Sequence, residues 1–114
     1  MKIVSTKNAL NHYYWGNACE GWNLVAEASF SVKQEKMPAG TAEQWHYHQF
    51  AQQFFYIITG TALFEIEETA YTVQASEGIH IPAGIKHRIV NQGNSDLTFI
   101  LSSQPATAND RINL

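Results

Sequence analysis

The sequence predicts an all-β protein, built either as a small antiparallel β-barrel or as a double-sheet jelly roll. Apolar and polar residues alternate over short runs, which is typical of half-buried strands. Turns rich in proline and glycine separate these runs at nearly regular spacing. No segment carries the spaced apolar stripe of an amphipathic helix. We therefore expect eight or nine short antiparallel strands.

The elements follow in order from an N-terminal arm and first strand (residues 1–25), through the barrel (26–103), to a C-terminal tail (104–114). Asparagines and glycines interrupt the first 21 residues, so we expect this part to be irregular. Its aromatic residues Tyr13, Tyr14 and Trp15 should pack on the body of the domain or on a second subunit. Pro105 disfavours continuing a central strand into the tail. Strands are predicted over residues 22–27, 28–36, 43–48, 53–59, 61–67, 71–73, 79–81, 87–91 and 97–102.

Alternation within a run predicts which side chains share a face. In the second run, Phe30 and Val32 alternate with Ser29, Ser31 and Lys33, so the two apolar residues should lie on one face together. The run at 61–67 alternates just as clearly, with its apolar positions on one face and its glutamates on the other.

Length, composition and charge limit the classes of function. A chain of 114 residues predicts a single domain. The net charge of −3 and the isoelectric point near 5.9 argue against nucleic acid as a partner, because nucleic acid needs a basic face. The single Cys19 excludes an internal disulfide. No run approaches the ~18 apolar residues of a membrane span, and no apolar leader opens the chain, so we expect a cytoplasmic protein without a membrane partner.

Two of the five histidines share one face of a predicted strand. His46 and His48 are separated by one residue, and side chains at i and i+2 of a strand project to the same side. A tight turn after them would bring Gln53 onto the neighbouring strand, and His87 lies just past the Pro82-Ala83-Gly84 turn. Three imidazoles and an amide oxygen suit one divalent ion, zinc, iron, manganese or nickel. Taken alone, a His-x-His pair is also typical of half-buried polar side chains on a strand.

The spacing of these residues resembles that of the cupin superfamily. The first cupin motif is matched at every spacing by Gly40, His46, His48, Gln53 and Gly60. The second motif, Pro-x-Gly-x-x-His-x-x-x-Asn, is matched by Pro82, Gly84, His87 and Asn91. Ser76-Glu77 replaces the Gly-Asp pair that commonly opens it. The resemblance implies a single cupin barrel whose metal ligands are His46, His48, Gln53 and His87.

Gln53 stands where the family usually has a glutamate. Three neutral imidazoles and a carboxylate would leave a divalent site with a charge of +1, whereas the neutral amide of Gln53 leaves it at +2. Such a site favours anions. We therefore expect a small carboxylate or an enolate-forming molecule as the ligand. The same ligand pattern occurs in cupins that act on unsaturated uronic acids and in cupin polyketide cyclases.

Strand parity places further residues around the predicted metal. Phe55 and Ile57 share the parity of Gln53 and should line the substrate pocket, and we include His80 as a further substrate-binding candidate. The opposite face of the same strand carries an apolar row that should contact a second subunit: Phe54, Tyr56 and Ile58. Together with a charged fraction of only 15%, this row predicts a homodimer.

The resemblance leaves three classes of function open. The first is an enzyme whose metal acts as a Lewis acid on a small anion, by isomerisation, cyclisation or lyase chemistry. The second is an iron-dependent dioxygenase, and the third is a non-catalytic module that binds or senses a small anion. The sequence shows no general base beside the predicted ligands, so no catalytic residue is assigned.

Overall fold

Eleven strands and no helix make up the computed structural model, which describes residues 1–114. An all-β fold is therefore confirmed. The short strands reflect the frequent turns of the sequence. Their bounds are β1 Asn11–Trp15, β2 Cys19–Ala26, β3 Ser31–Met37, β4 His46–His48, β5 Gln52–Thr59, β6 Thr61–Ile66, β7 Thr69–Gln74, β8 Gly78–Ile81, β9 His87–Val90, β10 Leu97–Gln104 and β11 Arg111–Asn113.

The strands form two sheets in which every pairing is antiparallel. One sheet has six strands in the order β1-β2-β3-β10-β5-β8, and the other has five in the order β11-β4-β9-β6-β7. Neighbours in space are often distant in sequence, as where β10 lies between β3 and β5. This is the double-sheet jelly roll that the sequence predicts. No helix is long and apolar enough to cross a membrane.

The core lies between the sheets and is filled by alternate residues of the strands. In β5 the odd-numbered positions from Gln53 to Ile57 are buried, and the intervening side chains are exposed. Phe55 of β5 lies 5.0 Å from Phe64 of β6 and 5.7 Å from Phe99 of β10, between ring centroids. These rings join the two sheets. Such tilted and edge-to-face aromatic pairs add about 0.5–1.5 kcal/mol each beyond the burial of their area.

Both ends of the chain carry strands that the sequence did not predict. β1 lies in the segment expected to be irregular, where it forms the edge of the six-stranded sheet beside β2. β11 lies in the expected tail and pairs with β4. Each strand is short and mostly exposed, so its apolar and polar residues hardly alternate. Pairing with the neighbouring strand therefore determines its structure.

The apolar residues Phe30 and Val32 do not mark the inner face of this part of the chain. Ser31, Glu35 and Met37 are buried, whereas Phe30 is 43% exposed. Polar inward positions are unusual in a core strand. Glu35 lines the cavity between the sheets, which is why the apolar residues of this run do not mark its inner face.

A glycine holds the tight connection between β5 and β6. Gly60 has a φ of +86°, in the left-handed region that favours glycine. A Cβ on Gly60 would lie 2.8 Å from the backbone oxygen of Asp96. The close approach of these two backbone segments therefore also requires a residue without a Cβ.

Candidate metal centre

Three histidines meet on the inner face of the five-stranded sheet. His46 and His48 form the two ends of β4, and both are buried because a three-residue strand points its first and third side chains to the same side. His87 opens β9 and pairs directly with His46. The ring centroids lie 4.3 Å apart for His46 and His87, 5.1 Å for His46 and His48, and 6.2 Å for His48 and His87.

Gln53 approaches these rings from the opposite sheet. It lies near the start of β5, is 4% exposed, and lines the same cavity as His46 and His48. Its Nε2 donates a hydrogen bond to Oγ of Ser103 at 3.1 Å. Its Oε1 has no hydrogen-bond partner. The amide is therefore oriented with its oxygen free, which is the atom that can bind a cation.

Backbone carbonyls fix the tautomers of two of the histidines. Nδ1 of His46 lies 2.9 Å from the carbonyl oxygen of Gln44, and Nδ1 of His87 lies 2.8 Å from that of Ile85. Because a carbonyl only accepts, each Nδ1 carries the proton and each Nε2 keeps a lone pair. Hydrogen bonds of this kind orient metal-binding histidines in many proteins.

The chemistry of the donor set fits a metal ion. Nε2 of His87 and Oε1 of Gln53 are buried acceptors without a partner, each at a cost of about 1–3 kcal/mol. A cation between them would satisfy both. As the side chains lie, no group of three His, Cys, Asp or Glu residues is arranged to hold an ion. The fit therefore depends on the Gln53 oxygen as a further donor beside the imidazoles.

Burial also keeps the histidines in the form that binds metal. Loss of hydration lowers the pKa of His46 to about 4, with a further contribution from the charge of Arg111. Loss of hydration, and then the neighbouring His46, lower the pKa of His48 to about 4. The pKa of His87 is lowered for the same main reason. The imidazoles are thus uncharged at neutral pH, and metal ions bind that form.

Two glutamates in the same cavity were missed by the sequence reading. Glu35 of β3 is 9% exposed and accepts a hydrogen bond of 2.5 Å from the hydroxyl of Tyr13. Glu43 precedes β4, and its carboxylate accepts a hydrogen bond of 3.1 Å from Nη1 of Arg111. Burial raises the pKa of both carboxyls, in the case of Glu35 to about 7. Glu35 shares the parity of Met37, and this is the one sequence signal that could have found it.

The cavity between the sheets is small, and two cationic side chains line it together with the two glutamates. Its volume is about 200 Å³, which is the liquid volume of about seven water molecules. Lys33 of β3 and Arg111 of β11 line it from opposite sheets. The cavity therefore has room only for a small molecule.

A protein-family model for the cupin domain matches residues 33–103 of the chain. These residues include all four of the donors described above. The chain belongs to the cupin superfamily. Members of this family generally bind a metal ion.

Two curated relatives and one solved structure illustrate the similarity. An uncharacterised Methanocaldococcus jannaschii protein is 26% identical over 83 residues, or 73% of this chain and 66% of that one. A Thermotoga maritima protein named as oxalate-binding is 29% identical over 65 residues, or 57% of this chain and 54% of that one. This chain thus spans less than two thirds of both relatives. A Thermotoga maritima structure described as a predicted oxalate decarboxylase has a TM-score of 0.79 at 19% identity, covering 91% of this chain and 99% of that one.

The substrate-binding candidates of this cupin occupy three different places. Phe55 is 2% exposed and lines the cavity beside Gln53. Ile57 shares its face but lies deeper, fully buried in the hydrophobic core, so it does not line the cavity. His80 is exposed on β8, where its Nε2 lies 2.9 Å from Oε1 of Gln52. His80 therefore lies on the outer face of β8, outside the cavity that His46, His48 and Gln53 line.

The C-terminal segment of this cupin contributes to the site. Asp110 is 5% exposed and accepts hydrogen bonds of 3.0 Å from the backbone N–H groups of Phe50 and Ala51. Its Oδ2 lies 3.7 Å from Nδ1 of His48. Arg111 then pairs with His48 in the register of β11 and β4. A segment expected to be a polar tail therefore holds the loop and the strand that carry two of the donors.

Proposed function

We propose that this cupin binds one divalent metal ion through Nε2 of three histidines and Oε1 of an amide. Zinc, iron, manganese and nickel all suit this donor set: His46, His48, His87 and Gln53. The observation that carries the proposal is the pair of unpartnered buried acceptors on opposite sheets, Gln53 Oε1 and His87 Nε2. When bound, the ion would supply Lewis-acid chemistry.

The proposed ligand is a small anion, either a carboxylate or a molecule that forms an enolate. Neutral donors leave the full +2 charge of the ion in place, and Lys33 and Arg111 add cationic groups at the same cavity. Glu43 offsets part of the charge of Arg111 and holds its guanidinium against the cavity wall. The Thermotoga maritima relative named as oxalate-binding agrees with a ligand of this size and charge.

The most favoured activity is a metal-dependent isomerisation, cyclisation or lyase reaction on this anion. In it, Lys33 and Arg111 bind the carboxylate and orient the molecule, while Phe55 forms part of the apolar wall that excludes water. The alternative is a module that binds the same anion without turning it over, which the oxalate-binding relative favours. Iron-dependent dioxygenase chemistry is a further alternative, since three neutral histidines also suit iron.

Metal analysis of protein purified without added metal tests the first step. We expect close to one divalent ion per chain in the wild type and its loss in His48→Ala, which removes a donor. His80→Ala is the matched control, because it removes an exposed imidazole outside the cavity and should keep the ion. Equal metal content in all three proteins would contradict the assigned donors. Iron as the bound metal would favour the dioxygenase.

Titration of oxalate and malonate into metal-loaded protein tests the ligand class. Gln53→Glu should keep the metal and bind these anions more weakly, because the added carboxylate lowers the site charge from +2 to +1. Isothermal titration calorimetry of wild type and Gln53→Glu measures the difference. Equal affinities would show that the site charge does not select the ligand. The cytoplasmic location and the homodimer stay predictions.

A further inference from the structure

Tyr13 and Glu35 are brought together by a row of paired residues that crosses three strands. Tyr13 of β1 pairs with Gly21 of β2, and Gly21 pairs with Glu35 of β3. The tyrosine ring extends across the intervening strand, and its hydroxyl donates to Oε2 of Glu35 at 2.5 Å. Both side chains line the cavity that holds the proposed metal donors. The contact is therefore part of the cavity wall.

Gly21 is the residue that permits this arrangement. A Cβ on Gly21 would lie 2.1 Å from Cζ and 2.4 Å from the hydroxyl oxygen of Tyr13. Any other residue at position 21 would displace the ring from Glu35. The φ of Gly21 is ordinary, so close approach of the tyrosine is the reason that this position holds glycine.

The surroundings of Glu35 suit a group that exchanges a proton near neutral pH. Burial is the main cause that raises the pKa of this carboxyl to about 7, and Glu43 raises it further. The hydrogen bond from Tyr13 and the charges of Lys33 and Arg111 oppose that rise. Cys19 is the remaining titratable group affected by Glu35, and its pKa is raised mainly by burial, so its thiol adds no charge at neutral pH. A carboxyl that ionises near the working pH is matched to acid–base catalysis.

We propose that Glu35 is the acid–base residue of this cupin and that Tyr13 is its positioning residue. This inference rests on the proposed metal-dependent function. The substrate class that fits is a small carboxylate with an acidic C–H beside a carbonyl, such as a 2-oxo acid. Tyr13 holds one oxygen of Glu35, which leaves the other oxygen to meet the substrate.

The proton step balances within the substrate and Glu35. The ionised carboxylate takes a proton from the carbon next to the carbonyl, so that the C–H bond breaks and an O–H bond forms on Glu35. The electron pair of the C–H bond forms a carbon–carbon double bond, and the π electron pair of the carbonyl moves to its oxygen and gives an enolate. Glu35 then returns its proton to carbon, at the same position or, in an isomerisation, at another. No oxidant, reductant or further reactant is needed.

Exchange of the methyl protons of pyruvate in D₂O tests this step directly. Pyruvate is a small 2-oxo acid with enolisable protons, and proton NMR follows their loss in the presence of zinc-loaded protein. We expect exchange faster than with the same concentration of zinc ion. Glu35→Gln should reduce it by about 10²-fold or more, and Tyr13→Phe by about tenfold. Glu20→Gln is the matched control, a Glu-to-Gln change on the neighbouring strand outside this cavity wall, and should leave the rate unchanged.

A titration of the Glu35 side-chain carboxyl by carbon-13 NMR gives a second readout that does not depend on turnover. Tyr13→Phe should raise the midpoint by about one pH unit relative to wild type, because it removes a hydrogen bond to the ionised form. Gly21→Ala should raise it in the same direction, since its Cβ displaces the tyrosine ring. An unchanged midpoint in both variants would overturn the role of Tyr13.

Separate measurements distinguish failure of this inference from failure of the proposed function. Exchange no faster than with free zinc, or a rate in Glu35→Gln within threefold of wild type, would overturn the role of Glu35 even when metal and oxalate bind. Absence of bound metal in the same samples would instead refute the proposed function. If Glu35→Gln does not fold, the loss of exchange and the shifted midpoint in Tyr13→Phe decide the question.

Discussion

Replacement of Glu35 by glutamine should stabilise the metal-free protein in a pH-dependent way. The carboxyl of Glu35 is 9% exposed, so its ionised form is poorly hydrated in the folded state and well hydrated in the unfolded state. Glutamine has nearly the same shape, carries no charge, and can still accept the hydrogen bond from Tyr13. The variant therefore removes the cost of ionising this buried group while leaving its packing in place.

The size of the effect follows from the two pKa values of Glu35. Below about pH 4.5 the carboxyl is protonated in both the folded and the unfolded protein, and pH has no effect through it. As the pH rises towards 7, the unfolded state loses the proton first, so the wild type becomes less stable. The difference between the ordinary value of 4.5 and the folded value of about 7 corresponds to about 3 kcal/mol, fully present above pH 7.

Urea unfolding of wild type and Glu35→Gln between pH 4.5 and pH 8.5, with chelator present, measures this difference. The free energy of unfolding of the variant minus that of the wild type should increase by about 3 kcal/mol across the range. Glu20→Gln, whose carboxylate pairs with Lys36 at 3.4 Å on a partly exposed face, should change by under about 1 kcal/mol. A difference for Glu35→Gln that does not vary with pH would refute the argument that burial raises the pKa of Glu35.

Three other predictions concern the core, the metal and the subunit contact. Phe64→Ala should cost about 3–5 kcal/mol in urea unfolding, because Phe64 is fully buried between the sheets. Chelation should lower the melting temperature and keep a single cooperative transition in calorimetry, because the twelve-residue core contains none of the metal donors. Light scattering at tens of micromolar should show a homodimer, and Tyr56→Arg a monomer, since Phe54, Tyr56 and Ile58 are 41–44% exposed on one apolar face. A monomeric wild type would contradict the last prediction.

The clustering of the proposed donors could be predicted from sequence in part, because local geometry places two of the histidines on one face. Two histidines one residue apart on a strand must share a face, and the structure places both His46 and His48 in the interior. The turn before Gln53 is short, so the neighbouring strand begins close to them. His87 is distant along the chain, and its place beside His46 was implied by the spacing of the second motif and the resemblance.

The hydrophobic pattern of the sequence did not indicate Glu35 because of the face of β3 on which this residue lies. The apolar Phe30 and Val32 suggest that the other parity of this run points to solvent, and Glu35 shares that parity. Hydrophobic alternation reports the inner face only where the interior is apolar. Along a cavity that binds a polar ligand, the inner face carries polar residues, and the pattern is inverted.

Long-range contacts from both ends of the chain complete the cavity, and no local pattern could have revealed them. Tyr13 and Glu35 are 22 residues apart, and Arg111 reaches back 68 residues to Glu43. β1 and β11, the strands that carry Tyr13 and Arg111, are mostly exposed, so hydrophobic patterning gives them little signal. Burial is the main cause that raises the pKa of both carboxyls, and the side chains of these strands oppose it: the hydrogen bond from Tyr13 for Glu35, and the charge of Arg111 for Glu43. Because a buried carboxyl with a raised pKa destabilises the fold, its presence here is better explained by the chemistry of the cavity than by packing. The two terminal strands therefore contribute residues to the proposed active site.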